Sequence, residues 1–103
     1  MTQWLRCCWD EEDTWFYLEA DDDGWISRQV EVHGTDRKPI AAASLTEWRQ
    51  AQHAGQLREY EKRYGRTADQ PITTWDGWDP EDLTEAEFDR IWEEARRAIE
   101  SSH

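Results

Sequence analysis

The chain has 103 residues, 24 acidic against 12 basic side chains for a net charge of -12, and eight Trp, three Tyr and two Phe within a hydrophobic fraction of 37%. Such a charge repels phosphate backbones and anionic lipid, so direct nucleic-acid and membrane binding are not expected, and no stretch approaches the roughly 20 apolar residues that span a bilayer. The length suits one domain over residues 1–103, and each ring removes roughly 150–250 Å² from water when buried, so few side chains supply much apolar area.

In chain order, Gln3 to Trp9 carries Trp4, Leu5, Cys7, Cys8 and Trp9 and predicts a first strand, since aromatic and apolar residues suit a half-buried pleated surface. The acidic run Asp10 to Asp13 separates it from a second strand, Thr14 to Glu19. Asp21-Asp22-Asp23-Gly24 has the chemistry of a hairpin loop, with Asp oxygens for backbone N–H groups and a glycine for positive φ. A third strand, Trp25 to His33, alternates so that Ile26, Val30 and Val32 share one face and Ser27, Gln29, Glu31 and His33 the other. Residues 33–39 read as a turn-rich connection, and Ile40 to Ala43 as a short edge strand.

Ser44-Leu45-Thr46-Glu47 and Thr84-Glu85-Ala86-Glu87 both have capping-box spacing and predict helix starts. The first helical region is expected over 45–64, with Gly55 dividing it and Gly65 ending it. Residues 66–83, with Pro71, Gly77 and Pro80, predict a long ordered loop carrying Trp75 and Trp78. A C-terminal helix is expected over 85–100, because Phe88, Ile91, Trp92, Ala95 and Ile99 fall on one helical stripe. The expected class is therefore α+β: an antiparallel sheet of three to four strands, over about residues 3–43, packed with two or three helices.

Three segments, Trp4 to Trp9, Asp21 to Val32 and Leu83 to Trp92, together resemble a family of small bacterial proteins of unknown function. Its features are an N-terminal Trp-bearing strand, an Asp-Asp-Asp-Gly-aromatic hairpin, an Arg-x-Val-Glu-Val strand, and an acidic C-terminal helix with Phe-x-x-Ile/Val-Trp. The likeness covers about half the chain and implies a sheet-plus-helix fold. It implies no catalytic residues, and the helical stretch Ser44 to Tyr64 departs from the loop that the pattern has there.

No Ser-His-Asp elbow, phosphate loop or His-x-x-x-His spacing is present, so an enzyme is less expected than a binding protein and no cofactor is expected. The Asp clusters lack the alternating ligands and terminal Glu of a calcium loop, and solvated turn residues are the expected reading. Cys7 and Cys8 are adjacent on a strand, point to opposite faces, and are expected as reduced thiols; only Cys8 shares a face with Arg6. Paired with an N-terminus lacking the basic and apolar stretches of a signal peptide, this predicts a cytoplasmic protein. His33, His53 and His103 are expected at the surface.

Both faces of the first two strands carry aromatics: Trp4, Arg6 and Cys8 with Trp15, Tyr17 and Glu19, opposed by Leu5, Cys7 and Trp9 with Phe16, Leu18 and Ala20. Most such rings serve as core; Trp75 and Trp78 are the expected exceptions. Acids cluster from Asp79 to Glu94. The expected partner-binding residues are therefore Trp9, Trp15, Tyr17, Trp75, Trp78, Asp79, Glu81 and Asp82. Together they predict a non-enzymatic acidic domain for a basic or amphipathic protein partner, as an immunity-type inhibitor or adaptor. The alternative is a small-molecule-binding or enzymatic domain with a Trp-lined pocket.

Overall fold

The computed structural model describes residues 1–34 and 36–101; Thr35, within the predicted connection, and His103 lie outside the described residues. Strands β1 (Gln3–Trp9), β2 (Thr14–Ala20), β3 (Ile26–His33) and β4 (Lys38–Ser44) follow one another as antiparallel neighbours. Helices α1 (Leu45–His53) and α2 (Leu57–Tyr64), a single 3-10 turn (Ile72–Thr74), strand β5 (Glu81–Asp82) and helix α3 (Glu85–Ser101) complete the α+β fold. The sheet order is β4-β3-β2-β1-β5, so among the described residues five strands are present where three or four are predicted. The extra strand is two acidic residues long and pairs with Leu5 and Arg6, a contact that no hydrophobic alternation announces.

Register sorts the side chains into rows across the sheet. On one face Arg6, Tyr17, Val30 and Ala42 stand in line; on the other, Leu5, Leu18, Gln29 and Ala43 form one row and Cys7, Phe16, Glu31 and Ala41 the next. The faces of β1 and β2 are those expected from alternation. Ile26 is not where alternation put it. The register shifts between Glu19 and Ala20, leaving Ser27 as an extra residue on β3, and Ile26 then packs with Leu18 and Ala20 on the face opposite Val30.

Helix α3 covers the first face: Ala95 and Ile99 join Val30 and Ala42, with Tyr17, Tyr64, Ile91 and Trp92 around them. Its predicted stripe is realised, with Phe88, Ala95 and Ile99 buried. The Thr84 capping box closes reciprocally, Glu87 N–H donating to Thr84 Oγ1 at 3.1 Å and Thr84 N–H to Glu87 Oε1 at 3.0 Å. The Ser44 box closes only halfway. Ser44 Oγ accepts from Glu47 N–H at 3.4 Å, but Ser44 N–H donates to Tyr60 Oη, and the Glu47 carboxylate turns to Arg96 and Tyr60. Arg96 also donates to the carbonyl of Ala42 at 2.8 Å and lies over the rings of Tyr64 and Trp92, so one guanidinium ties α3 to β4, α1 and α2. Burial, reinforced by the bond to Glu47, pushes the Tyr60 hydroxyl up to about 12.

The second face is covered by irregular chain. After α2 the backbone turns at Gly65, with φ +83, and passes so near β4 that an added Cβ would stand 2.8 Å from Ala41 Cβ. The following segment lays Ala68, Ile72, Trp75 and Trp78 against Leu18, Ala20 and Ile26. It is pinned at Gly24, whose carbonyl accepts from Ile72 N–H at 2.8 Å and whose φ is +86. The predicted loop 66–83 is thus one layer of the core over most of its length. Both hairpin glycine chemistry and the break near Gly55 are as expected, with Gly55 at φ +70 between α1 and α2. No helix among the described residues is long and apolar enough to cross a membrane.

Candidate functional site

The cleft on the second face begins with strand alternation. Cys7 on β1 lies directly opposite Phe16 on β2, and Gln29 on β3 neighbours them, so these three side chains make a floor. Trp9, Trp75 and Trp78 form the walls of a space of about 360 Å³. Trp75 and Trp78 meet edge to face with centroids 5.0 Å apart, the arrangement their ring quadrupoles favour. They are half-buried, leaning on the Leu18 cluster, so each ring has one side in the core and belongs also to the cleft wall. Trp9 differs: 44% of its surface is exposed at the end of β1.

The floor is tied to the segment that covers it. Gln29 is buried, and its Oε1 accepts from Ala68 N–H at 2.8 Å, which holds the covering segment at a set height over β3. Asp76 contributes a carboxylate to the lining, and the exposed run Asp10 to Asp13 follows Trp9 directly. Next to the cleft, a shallower groove of about 300 Å³ shares Gln29 and Ala68 and contains Glu31. Burial, aided by the negative charge of Glu12, raises the Glu31 carboxyl above its ordinary value.

Of the expected binding residues, Trp9, Trp75 and Trp78 come together here. Trp15 and Tyr17 stand on the opposite face. Tyr17 packs beside the Val30 cluster, and Trp15 lies under the Arg6 guanidinium at 5.6 Å. Glu81 accepts from Arg6 Nη2 at 3.1 Å at the β5 edge, with Asp82 beside it and Asp79 exposed just before it. Trp15 and Tyr17 are thus separated from the three cleft tryptophans by the sheet, while Asp82 shares the face of its partner Leu5 at the β5 edge, so the eight residues do not form one patch. Cys7, Phe16, Gln29 and Asp76 are cleft residues that the sequence reading did not select. The first two were accessible to it, since antiparallel pairing of the first two strands makes them neighbours; Gln29 and Asp76 required the path of the loop.

The remaining candidates of the sequence are the two thiols, the Asp turn and the histidines. Cys7 and Cys8 are free thiols, one buried and one exposed. Cys8 donates to Asp10 Oδ1 at 3.4 Å, and desolvation together with that bond raises its thiol rather than activating it, while Arg6 is engaged by Glu81. Asp21 Oδ1 accepts from the N–H groups of Asp23 and Trp25, each at 2.9 Å, an Asx turn. No group of three His, Cys, Asp or Glu side chains among the described residues is placed to hold a metal ion. His53 is exposed as expected; His33 is half-buried at the end of β3 with Nδ1 enclosed. No protein-family model, curated protein or solved structure matches the chain, so nothing is carried to it from a relative.

Proposed function

We propose that the chain is a binding protein whose second sheet face takes a basic, amphipathic segment of another protein. The observation that carries this reading is the cleft itself: an apolar slot walled by Trp9, Trp75 and Trp78, with Asp76 in its lining and Asp10 to Asp13 following its most exposed ring. Tryptophan walls suit an apolar or aromatic anchor side chain, and the Asp76 carboxylate in the lining suits a flanking Lys or Arg. A chain with twice as many acids as bases also draws a cationic partner by long-range steering. An inhibitor or an adaptor for a basic protein acts in this way, and the setting for both is the cytoplasm. The resemblance to a family of small bacterial proteins is compatible with either role.

The test is selection of random twelve-residue peptides displayed on phage against the wild-type protein and against Trp9→Ala. Enrichment of peptides combining Lys or Arg with one or two apolar anchors, lost with Trp9→Ala, supports the reading. Enrichment of the same peptides by both proteins, or none by the wild type, contradicts it.

A further inference from the structure

A second cavity, of about 420 Å³, opens between the β2–β3 hairpin, the start of α1 and the segment 66–69. Its size lies within the range typical of small-ligand sites. Ile26 and Leu45 give it an apolar lining, and Trp25 and Trp48 bring two indole rings to it. Trp48 is held through its ring nitrogen and Trp25 through its backbone. Trp48 Nε1–H donates to Glu61 Oε2 at 2.8 Å, across to α2, and the Trp25 backbone is held by the Asp21 turn at 2.9 Å. Trp25 nevertheless leaves 43% of its surface exposed.

Arg49 and Arg66 are the cations of this lining. Among the described residues neither has an ion pair, whereas Arg6, Arg28 and Arg96 each hold a carboxylate. In a chain with twice as many acids as bases, two guanidinium groups beside one aromatic cavity bring the cations of its lining level with its acids. Two carboxylates also line the space. Asp21 is committed to the turn through Oδ1, and Asp69 is exposed near Arg66 in sequence.

We infer that this cavity binds a small aromatic monoanion, its ring lying against Trp25 and Trp48 and its acid group held by Arg49 and Arg66. Indole faces stack on planar rings, and the guanidinium fork matches carboxylate or sulfonate geometry. Asp21 and Asp69 offset the two guanidinium charges of the lining, which favours a singly charged acid over a doubly charged phosphomonoester. The site lies apart from the Trp9 cleft and stands independently of the partner proposed there.

Fluorescence titration with 8-anilinonaphthalene-1-sulfonate tests the inference, with N-phenyl-1-naphthylamine as the same ring system lacking the sulfonate. The expected result is saturable binding of the sulfonate, weakened about tenfold or more by the double variant Arg49→Gln/Arg66→Gln, with the neutral probe unaffected by it. Trp25→Ala weakens both probes, and Trp9→Ala neither. Arg49, Arg66 and Trp25 are exposed, so unfolding midpoints of these variants are expected to stay near wild type and serve as the control for folding. Absence of saturable sulfonate binding, indifference of that binding to the arginine changes, or its loss with Trp9→Ala would each overturn the inference.

Discussion

Glu19 anchors the polar network on the α3 side of the sheet. Its carboxylate accepts from Arg28 Nε at 2.9 Å and Nη2 at 2.6 Å, from Ser27 Oγ at 2.7 Å and from Trp4 Nε1 at 3.0 Å, and Arg28 continues to Asp89 on α3 at 2.9 Å. The Arg28 bonds first, then those from Ser27 and Trp4, hold the Glu19 carboxyl at about 2 against an ordinary 4.5, overcoming the opposing effect of burial. A carboxyl lowered on folding stabilises the fold above its unfolded pKa, and that contribution is lost as pH falls through the folded value. Linkage sets an upper bound of about 3 kcal/mol; solvent around the partly exposed Arg28 screens this to about 1–2 kcal/mol. Urea unfolding of wild type and Glu19→Gln is therefore expected to differ by that amount at pH 7, with the gap closing between about pH 4.5 and pH 2. At the other end of β1, thiol labelling of the folded protein is expected to modify Cys8 and spare Cys7, because only Cys8 is exposed. Asp10→Asn removes one of the causes that raise the Cys8 thiol, so labelling of Cys8 at pH 8 is expected to quicken; unchanged kinetics would show that Asp10 has no hold on it.

At the scale of elements, helix α3 depends on its first turn as well as its buried stripe. Thr84→Ala removes the acceptor for Glu87 N–H and is expected to cost about 1 kcal/mol in urea unfolding; a loss below a few tenths would mean the reciprocal box contributes little. That helix was legible in the sequence because its cap and its stripe agree. So were the first three strands, through alternation and the Asp-Gly hairpin, and the division of the middle helices at Gly55. What the sequence did not disclose depends on long-range pairing. Ile26 changes faces because one extra residue, Ser27, enters β3, and neither neighbour in sequence marks the bulge. Strand β4 likewise accommodates Ile40, 52% exposed, where the register shifts opposite Glu31 and Val32. Two-residue β5 has no period to detect. Trp75 and Trp78, set in a polar Trp-Asp-Gly-Trp-Asp stretch, read as exposed loop rings, yet they are half-buried because the Leu18, Ala20 and Ile26 cluster takes its apolar cover from the irregular segment that carries them.

Over the whole molecule, the sheet separates two different polar designs. The α3 side joins Arg28 and Arg96 to Glu19, Asp89 and Glu47 in networks that span strands and helices, and it is chiefly a device for holding elements together. The other side is closed by irregular chain, which leaves the Trp9 cleft and, at the hairpin end, the Trp25 and Trp48 cavity. The sequence reading found the tryptophans of the first and none of the second, because Trp48, Arg49 and Arg66 approach Trp25 only after α1 and the 66–69 segment fold against the hairpin. Recognition of a cationic, amphipathic segment by the Trp9 cleft, as proposed above, is tested by calorimetric titration of one Arg-rich amphipathic peptide at low and at physiological salt. One-to-one binding that weakens as salt rises and is lost with Trp9→Ala is expected; salt-independent binding, or binding that Trp9→Ala leaves intact, refutes the proposal.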